Sequence, residues 1–321
     1  MTWWTDIRFA LRGFRRNPGF TAFAILTLAL GFGANAAIFA LFDGVLLKPL
    51  PYPRAEQLVV LSAMSAAASR QSVSAPEFAD WQQAASFQSM AAKYGEVRKL
   101  TGAGEPRMIN AWRVTADYFG VLGVGPALGS GFSATNDQPG SERVVILSHE
   151  LWQERFRADP DVLGRPIVLD GPLGTGAQYA IVGVLPQARE FDRGWGEIWL
   201  PAALAPGAPA RDVRFLNVIG RLKPGIGITQ ARAEMATLAA RIDSELPDRE
   251  KGWSGSVDPL ADWLIDTPLR TSLTVLMAAV AAILMIGCAN LANLLLARGA
   301  TRGRELALRT ALGASRSRAS F

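Results

Sequence analysis

The sequence predicts an α+β domain that lies outside the cytoplasm and is flanked by two transmembrane α-helices. Three observations lead to this fold class. Two long apolar runs, Phe20–Leu47 and Leu273–Ala297, hold one charged residue and none, respectively. The residues between them alternate strand-like and helix-like patterns, which is typical of α+β folds. Clusters of arginine flank the two runs, each on the side that faces away from this middle part.

The arginine clusters predict the orientation of the two spans. A helix rises about 1.5 Å per residue, so about 20 apolar residues cross a bilayer core about 30 Å thick, and both runs are long enough. The flank before the first run carries four arginines and one acid, and the flank after the second carries six arginines and one acid. Because cytoplasmic flanks collect Lys and Arg, we expect both termini in the cytosol and the middle domain outside.

These patterns divide the chain into five segments. They are a cytosolic amphipathic helix (1–19), a first transmembrane helix (20–47), an outer domain (48–270), a second transmembrane helix (271–297) and a cytosolic segment (298–321). The first run could instead be a secretory signal, with a small-residue cleavage pattern at Ala34-Asn35-Ala36. The apolar run continues well past that point, so we favour an uncleaved anchor.

Within the outer domain, turn residues separate short elements. The predicted strands are 57–63, 106–115, 144–147, 166–169, 179–184 and 215–222. The predicted helices are Ser74 to about Lys93, 116–122, 148–157 with Ser148 as its cap, and 229–246, while 66–74 is predicted to be a loop.

Composition excludes several function classes. The formal charge of +5 arises in the two flanks, because residues 46–270 carry 23 basic and 25 acidic side chains. The outer domain therefore has no basic surface by count, and no motif of a nucleic-acid reader appears. The chain has one cysteine, Cys288, and one histidine, His149, which excludes an intrachain disulfide and any site with two histidine ligands. It also lacks a G-x-x-x-x-G-K-[ST] phosphate loop, and we predict no catalytic, cofactor or metal residues.

Two sets of residues in the apolar runs are candidates for helix packing. Ala29, Gly33 and Ala37 recur every four residues, and small side chains at that spacing let two helices approach closely in lipid. Asn290 and Asn293 lie three residues apart, on one face of the second helix. Ordinary alanine-rich composition explains the first set equally well.

Several stretches, in order along the chain, resemble one family. They include RFALRGFRRNPGFTAFAILTLALGFGANAAIFALFDGVLLKPLPYP (8–53), APEFADWQ (75–82), VTADYFGVLGVGPALGSGF (114–132), VVILSHELWQERFRADPDVLGRPIVLDG (144–171) and CANLANLLLARGATRGRELALRTALGASRSR (288–318). The sequence resembles ABC-transporter permeases of the MacB/FtsX type, and most closely the duplicated permeases first described in acidobacteria. The outer domain resembles the periplasmic core domain of that family.

The resemblance implies a non-catalytic permease in the inner (plasma) membrane. ATP would be bound by a separate ATPase subunit, and a second permease copy or half would complete the transporter. The core domain would contain one subdomain from about 50–115 plus 210–265 and a second, inserted one at about 116–209. A short cytosolic helix would dock on the ATPase. The residues it would use are Arg304, Glu305, Leu308, Arg309 and Gly313.

The chain departs from the family pattern after its second apolar run. A complete repeat of this family has four membrane helices, whereas this sequence stops at Phe321, so the resemblance implies a repeat truncated after the second helix. The alternatives to a transporter subunit or fragment are a membrane-anchored extracytoplasmic sensor or adaptor, or a non-functional truncated permease.

Overall fold

A computed structural model describes residues 18–44, 50–65, 68–102, 104–170, 176–187, 196–205, 210–247, 251–264 and 267–311. Contacts divide the chain into two compact units. We call Pro49–Leu264 the core domain, and Met1–Lys48 together with Ile265–Phe321 the helix unit. The predicted amphipathic helix at 1–19 lies almost wholly outside the described residues.

The elements are numbered in chain order. The helices are α1 (Pro18–Phe42), α2 (Ala75–Trp81), α3 (Tyr118–Leu122), α4 (His149–Phe156), α5 (Ile228–Glu245), α6 (Leu260–Leu264) and α7 (Thr267–Ala311). The strands are β1 (Leu58–Ser65), β2 (Ala68–Gln71), β3 (Val73–Ser74), β4 (Phe87–Thr101), β5 (Arg107–Val114), β6 (Leu128–Gly129), β7 (Val144–Leu147), β8 (Pro166–Asp170), β9 (Gly176–Val184), β10 (Ile198–Pro201), β11 (Arg214–Leu222) and β12 (Trp253–Pro259). This is the predicted fold class, a mixed α and β domain flanked in sequence by two apolar helices.

The strands of the core domain form one sheet with the order β12-β1-β11-β4-β5-β10-β7-β9-β6 along its main path. From β12 to β5 all neighbours are antiparallel. One face of this part is covered by α2 and α5, whose Trp81 and Met235 are fully buried against it. The other face packs against α3 through Tyr118 and Phe119. Helices on both faces bury this part of the sheet in two apolar layers.

The second part of the sheet closes into a six-stranded barrel, because β8 pairs with both β4 and β9. The order around the barrel is β4-β5-β10-β7-β9-β8 and back to β4. Apolar side chains such as Leu100, Ile109 and Ile181 fill its interior, and Leu151 of α4 joins the same core. A barrel of so few strands is filled by side chains and leaves no channel.

The barrel shares β4 with the open part of the sheet. This strand is 15 residues long. Its first half, Phe87–Lys93, pairs with β11, and its last residues, Lys99–Thr101, pair with β8. The barrel therefore takes β4 and β5 from outside the predicted inserted subdomain of about 116–209. Contacts group all of Pro49–Leu264 into one compact unit.

One predicted helix is mostly wrong. The helix predicted from Ser74 to about Lys93 begins as expected, because the Ser74 side chain and Glu77 form a capping box and Pro76 lies in the first turn. It ends at Trp81, however, and Phe87–Thr101 is a strand. Ala and Met favour helices in isolation, but pairing with β11 outweighs this weak preference. The loop predicted at 66–74 contains β2 and β3.

The last helix is longer than predicted. α7 runs for 45 residues without a break, so its length is about 68 Å at 1.5 Å per residue. The predicted boundary between residues 297 and 298 therefore falls inside one helix, and the backbone of 298–311 is not a separate short helix. Ala, Leu and Arg are strong helix formers, and they outweigh Gly299 and Gly303 in this stretch.

Candidate functional site

The two apolar helices, α1 and α7, pack against each other within the helix unit. On α7, Leu273 and Val280 are buried. Many large apolar side chains on both helices point away from the contact and are exposed; they include Leu26, Leu30, Phe32, Val275, Ile283, Met285 and Ile286. Both helices are long and apolar enough to cross a membrane, over Ile25–Phe42 and Pro268–Asn293. Exposed apolar side chains in such numbers fit a lipid environment.

A polar side chain lies at the centre of this contact. The side-chain amide of Asn35 donates hydrogen bonds to the carbonyl of Gly31 in its own helix, at 2.9 Å, and to the carbonyl of Val280 in α7, at 3.3 Å. An amide in an apolar environment is costly unless it is bonded. Because the acceptor on α7 is a single carbonyl, the bond fixes the position of one helix along the axis of the other.

Two glycines allow the helices to approach closely. A Cβ atom added to Gly31 would lie 2.9 Å from the Cδ1 of Leu284, and one added to Gly287 would lie 3.3 Å from the Cγ2 of Thr27. Each glycine therefore faces a side chain of the opposite helix. Small residues at such positions are a common feature of helix contacts in lipid.

The residues predicted to pack the helices are not in this contact. Ala29, Gly33, Ala37, Asn290 and Asn293 are exposed, and a Cβ added to Gly33 would meet nothing within 4 Å. The contact uses Gly31 and Asn35 instead, which lie two residues away from the predicted set in the same four-residue spacing. Two residues turn a helix by about 200°, so the predicted face of α1 points away from α7. Packing of the five residues against further helices stays a prediction.

The predicted coupling residues lie at the end of α7. Arg304, Glu305, Leu308 and Arg309 are in its continuous helical backbone, and Gly313 lies outside the described residues. The helix places Glu305 and Arg309 one turn apart, as it does Arg304 and Leu308. What their side chains contact is outside what the structure describes, so their role stays a prediction.

A match to a known protein family identifies the family of this chain. The family model of the MacB-like periplasmic core domain matches residues 21–238. The chain belongs to this family. The match begins in α1 and extends into α5, so it includes the barrel and most of the open sheet.

Curated relatives of this MacB-like chain are export proteins. A probable export ATP-binding/permease protein of Pseudomonas fluorescens is 26% identical over 205 residues, which cover 62% of this chain and 29% of the relative. The macrolide export ATP-binding/permease protein MacB of Salmonella choleraesuis is 26% identical over 218 residues, or 64% of this chain and 30% of the relative. The match thus spans less than a third of either relative.

A solved structure is also similar. The periplasmic region of MacB from Actinobacillus actinomycetemcomitans aligns with 65% of this chain and 91% of its own length, at 14% identity and a TM-score of 0.47.

The MacB-like core domain has a cleft of about 700 Å³ beside strands of the barrel, where Arg113, Gln138, Arg143 and Tyr179 are among the lining residues. Arg113 is already bonded there: its Nε donates to Glu96 at 3.0 Å and its Nη1 to the Pro201 carbonyl at 2.9 Å. Arg113 therefore ties β4, β5 and β10 together, and Arg143 is a second cation in the lining.

The single histidine has a packing contact at the start of α4. The ring of His149 lies 5.4 Å from that of Trp152 in an edge-to-face arrangement. Among the residues that the structure describes, no group of three or more His, Cys, Asp or Glu side chains could hold a metal ion. Two features support a function: the contact between α1 and α7, and the fold of the core domain.

Proposed function

We propose that this chain is a non-catalytic permease subunit, or part of one, in an ABC transporter of the MacB/FtsX type. It would transmit ATP-driven motion of a partner ATPase to the core domain, for export or another envelope process. One observation carries the proposal: a domain of the MacB-like periplasmic core family is joined, in one chain, to two apolar helices that pack on each other.

The division of labour follows from the sequence. These 321 residues contain no phosphate-binding loop of the Walker A type, so ATP would be bound outside them, and we assign it to a partner ATPase. Its relatives are named as ATP-binding and permease proteins together, and this chain matches 29% and 30% of their lengths. We therefore assign the permease role to this part alone, with a second copy or half as its partner.

The arginine clusters support an orientation with both ends of the chain in the cytosol and the core domain outside. Reporter fusions after residue 150 and after residue 321 test it. An alkaline phosphatase fusion should be active only at residue 150, and a fluorescent protein fusion only at residue 321. The reverse pattern, or phosphatase activity at both sites, contradicts the proposed orientation.

The last part of α7 is the segment that we assign to contact with the ATPase. Glu305 is the only acid after the second apolar run, and it lies one helical turn before Arg309. We expect Glu305→Lys to reduce co-purification of the ATPase with the complete permease by at least about tenfold, since a lost charged pair at a docking site costs 2 kcal/mol or more.

The control for that experiment is Ala307→Lys. It adds a cation two residues away, on another face of the same helix. Co-purification that both variants leave unchanged would remove Glu305 from the docking segment. A complete absence of any ATPase with the parent protein would favour an anchored sensor or adaptor over a transporter subunit.

A further inference from the structure

A buried arginine lies where the chain from α1 joins the core domain. Arg221, on β11, is only 3% exposed. Its Nε donates to the carbonyl of Val121 at 2.9 Å, and its Nη1 donates to the carbonyls of Pro53 and Arg54 at 3.1 and 3.2 Å. All of its acceptors among the described residues are oxygens of neutral groups.

Such an arginine is not explained by stability alone. A buried charge is costly unless it is paired, and apolar residues of similar volume often replace buried ions without loss. Burial and the nearby charge of Arg54 lower the pKa of Arg221, which shows the same cost. The Nη2 of Arg221 is buried as well, and it has no hydrogen-bond partner among the residues that the structure describes. A costly side chain that is kept in a core invites a functional explanation.

The acceptors of Arg221 belong to different pieces of the core domain. Pro53 and Arg54 are part of the segment Leu50–Gln57, which leads from the helix unit to β1; we call it the lead-in segment. Val121 lies in α3. The backbone at this contact has an uncommon conformation, because Arg54 has a left-handed φ of 50°. A Cβ added to Gly123 would lie 3.3 Å from Pro53 and 3.5 Å from the guanidinium of Arg221.

Behind Arg221, a continuous ladder of strands leads to the barrel. Arg221 pairs with Ser89 of β4, and the far end of β4 pairs with β8 in the barrel wall at Leu100 and Leu169. At 15 residues and about 3.3 Å per residue, β4 covers about 50 Å. The last helix of the core domain, α6, packs on β1 and on the turn at residues 55–57.

We propose that Arg221 fastens the lead-in segment to β11 and so passes a displacement of α1 into the sheet and toward the barrel. The role of Arg221 in transmitting motion rests on the proposed function. The attachment of the lead-in segment to β11 does not depend on it. Carbonyl acceptors suit this role, because they hold the backbone of the lead-in segment whatever its side chains are. The planar guanidinium can reach several carbonyls at once, which a lysine ammonium cannot do in the same geometry.

Hydrogen exchange of the full chain in lipid nanodiscs tests the fastening. Two variants are compared with the parent: Arg221→Met removes the donors and keeps the volume, and Arg221→Lys keeps the charge. We expect both to speed exchange at the amides of Gln57, Gly123 and Val124 by about tenfold or more, while β5 keeps its protection. The control is Arg232→Met, which removes an arginine that donates to the Val257 carbonyl elsewhere in the domain.

Unchanged exchange in the lead-in segment overturns the fastening. If Arg221→Met loosens the whole core domain, Arg221→Lys decides: local loss of protection supports the proposal, and uniform loss overturns it.

Transmission is tested by disturbing the helix pair itself. Gly31→Leu should alter exchange in the lead-in segment and, through Arg221, at residues 121–124. In the double variant with Arg221→Met, the effect at 121–124 should vanish, whereas with Arg232→Met it should persist. An effect that survives Arg221→Met, or no effect of Gly31→Leu at 121–124 at all, overturns transmission through this residue. Neither result bears on ATPase binding, so the proposed function is judged separately by co-purification.

Discussion

The side-chain amide of Asn35 lies 3.3 Å from the backbone carbonyl of Val280 and links α1 to α7. A side-chain donor and a main-chain acceptor make this bond independent of which residue occupies position 280. It also marks the place where the residues that determine the helix contact differ from those that the sequence suggested.

We expect Asn35→Leu to weaken association of the two helices by about 1 kcal/mol, the usual worth of such a bond between membrane helices. The measurement is energy transfer between dyes at the two helices during titration of SDS into detergent micelles. The matched control is Asn290→Leu, at an exposed position on α7. Equal effects of the two substitutions would contradict a special role for Asn35.

Gly31 and Gly33 offer a second matched pair. A side chain at Gly31 would meet Leu284, whereas a side chain at Gly33 would meet nothing within 4 Å. Gly31→Leu should therefore separate the helices at a cost of about 1–3 kcal/mol, as overpacking usually does. Gly33→Leu should have little effect in the same energy-transfer experiment. If Gly33→Leu were the more disruptive change, the contact would involve the face predicted from sequence instead.

Glu234 makes the stability of the core domain depend on pH. Its carboxylate accepts hydrogen bonds from the amides of Ala85 and Ser86 at 2.6 and 2.8 Å. Burial alone would raise the pKa of Glu234, but the hydrogen bonds from Ser86 and Ala85 outweigh it, so the pKa lies below its usual value of 4.5. A lowered carboxyl pKa stabilises the fold above the unfolded-state pKa and loses that contribution as pH falls through the folded-state pKa.

The variant Glu234→Gln should therefore be less stable than the parent by about 1 kcal/mol at pH 7, since a charge-assisted bond is lost. The difference should shrink as the pH falls below about 4.5, because Glu234 of the unfolded chain is protonated there, and it should be lost once the pH has fallen through the lower pKa of the folded state. Urea unfolding of the full chain in detergent, followed by tryptophan fluorescence, measures both. A difference that stays constant down to pH 3 would show that ionisation of Glu234 is not involved.

Substitution of Gly129 should destabilise the core domain more than substitution of Gly140, although both glycines have a positive φ. A Cβ at Gly129, with φ of 77°, would lie 2.2 Å from the carbonyl oxygen of Val182, whereas one at Gly140, with φ of 80°, would meet nothing within 4 Å. We expect Gly140→Ala to cost about 1 kcal/mol, for its backbone conformation alone. Gly129→Ala should cost about 3 kcal/mol or more, because backbone must move. Thermal unfolding of the two variants should separate them clearly, and similar melting temperatures would contradict the close approach of β6 and β9.

Much of the fold follows from local sequence. Ser148 begins α4 as predicted, and its side chain accepts a hydrogen bond from the amide of Leu151 at 3.0 Å. The strand at Val144–Leu147 is four consecutive apolar residues that are all buried. In both places the local sequence pattern and the tertiary structure agree, so neighbouring residues alone are enough to predict the element.

Other features depend on contacts that neighbouring residues do not reveal. The first half of β4 contains the helix-favouring run Met90-Ala91-Ala92, yet it is a strand that pairs with β11, far along the chain. Closure of the barrel depends in the same way on pairing between β4 and β8. On α1, two sets of small or polar residues share the same spacing, and nothing in the sequence of one helix shows which set meets α7. The sequence does not reveal the role of Arg221, because an arginine in an alternating strand gives no local sign that it is buried.

The closed barrel limits the places where the protein can aggregate. Six strands that form a ring have neighbours on both sides, whereas β12, at the end of the open sheet, pairs only with β1 among the described residues. Unpaired strand margins are where foreign polypeptide adds and where fibres start. Aggregation of this domain should therefore begin at Trp253–Pro259, and a lysine or proline introduced on that outer margin would be the place to begin improving its solubility.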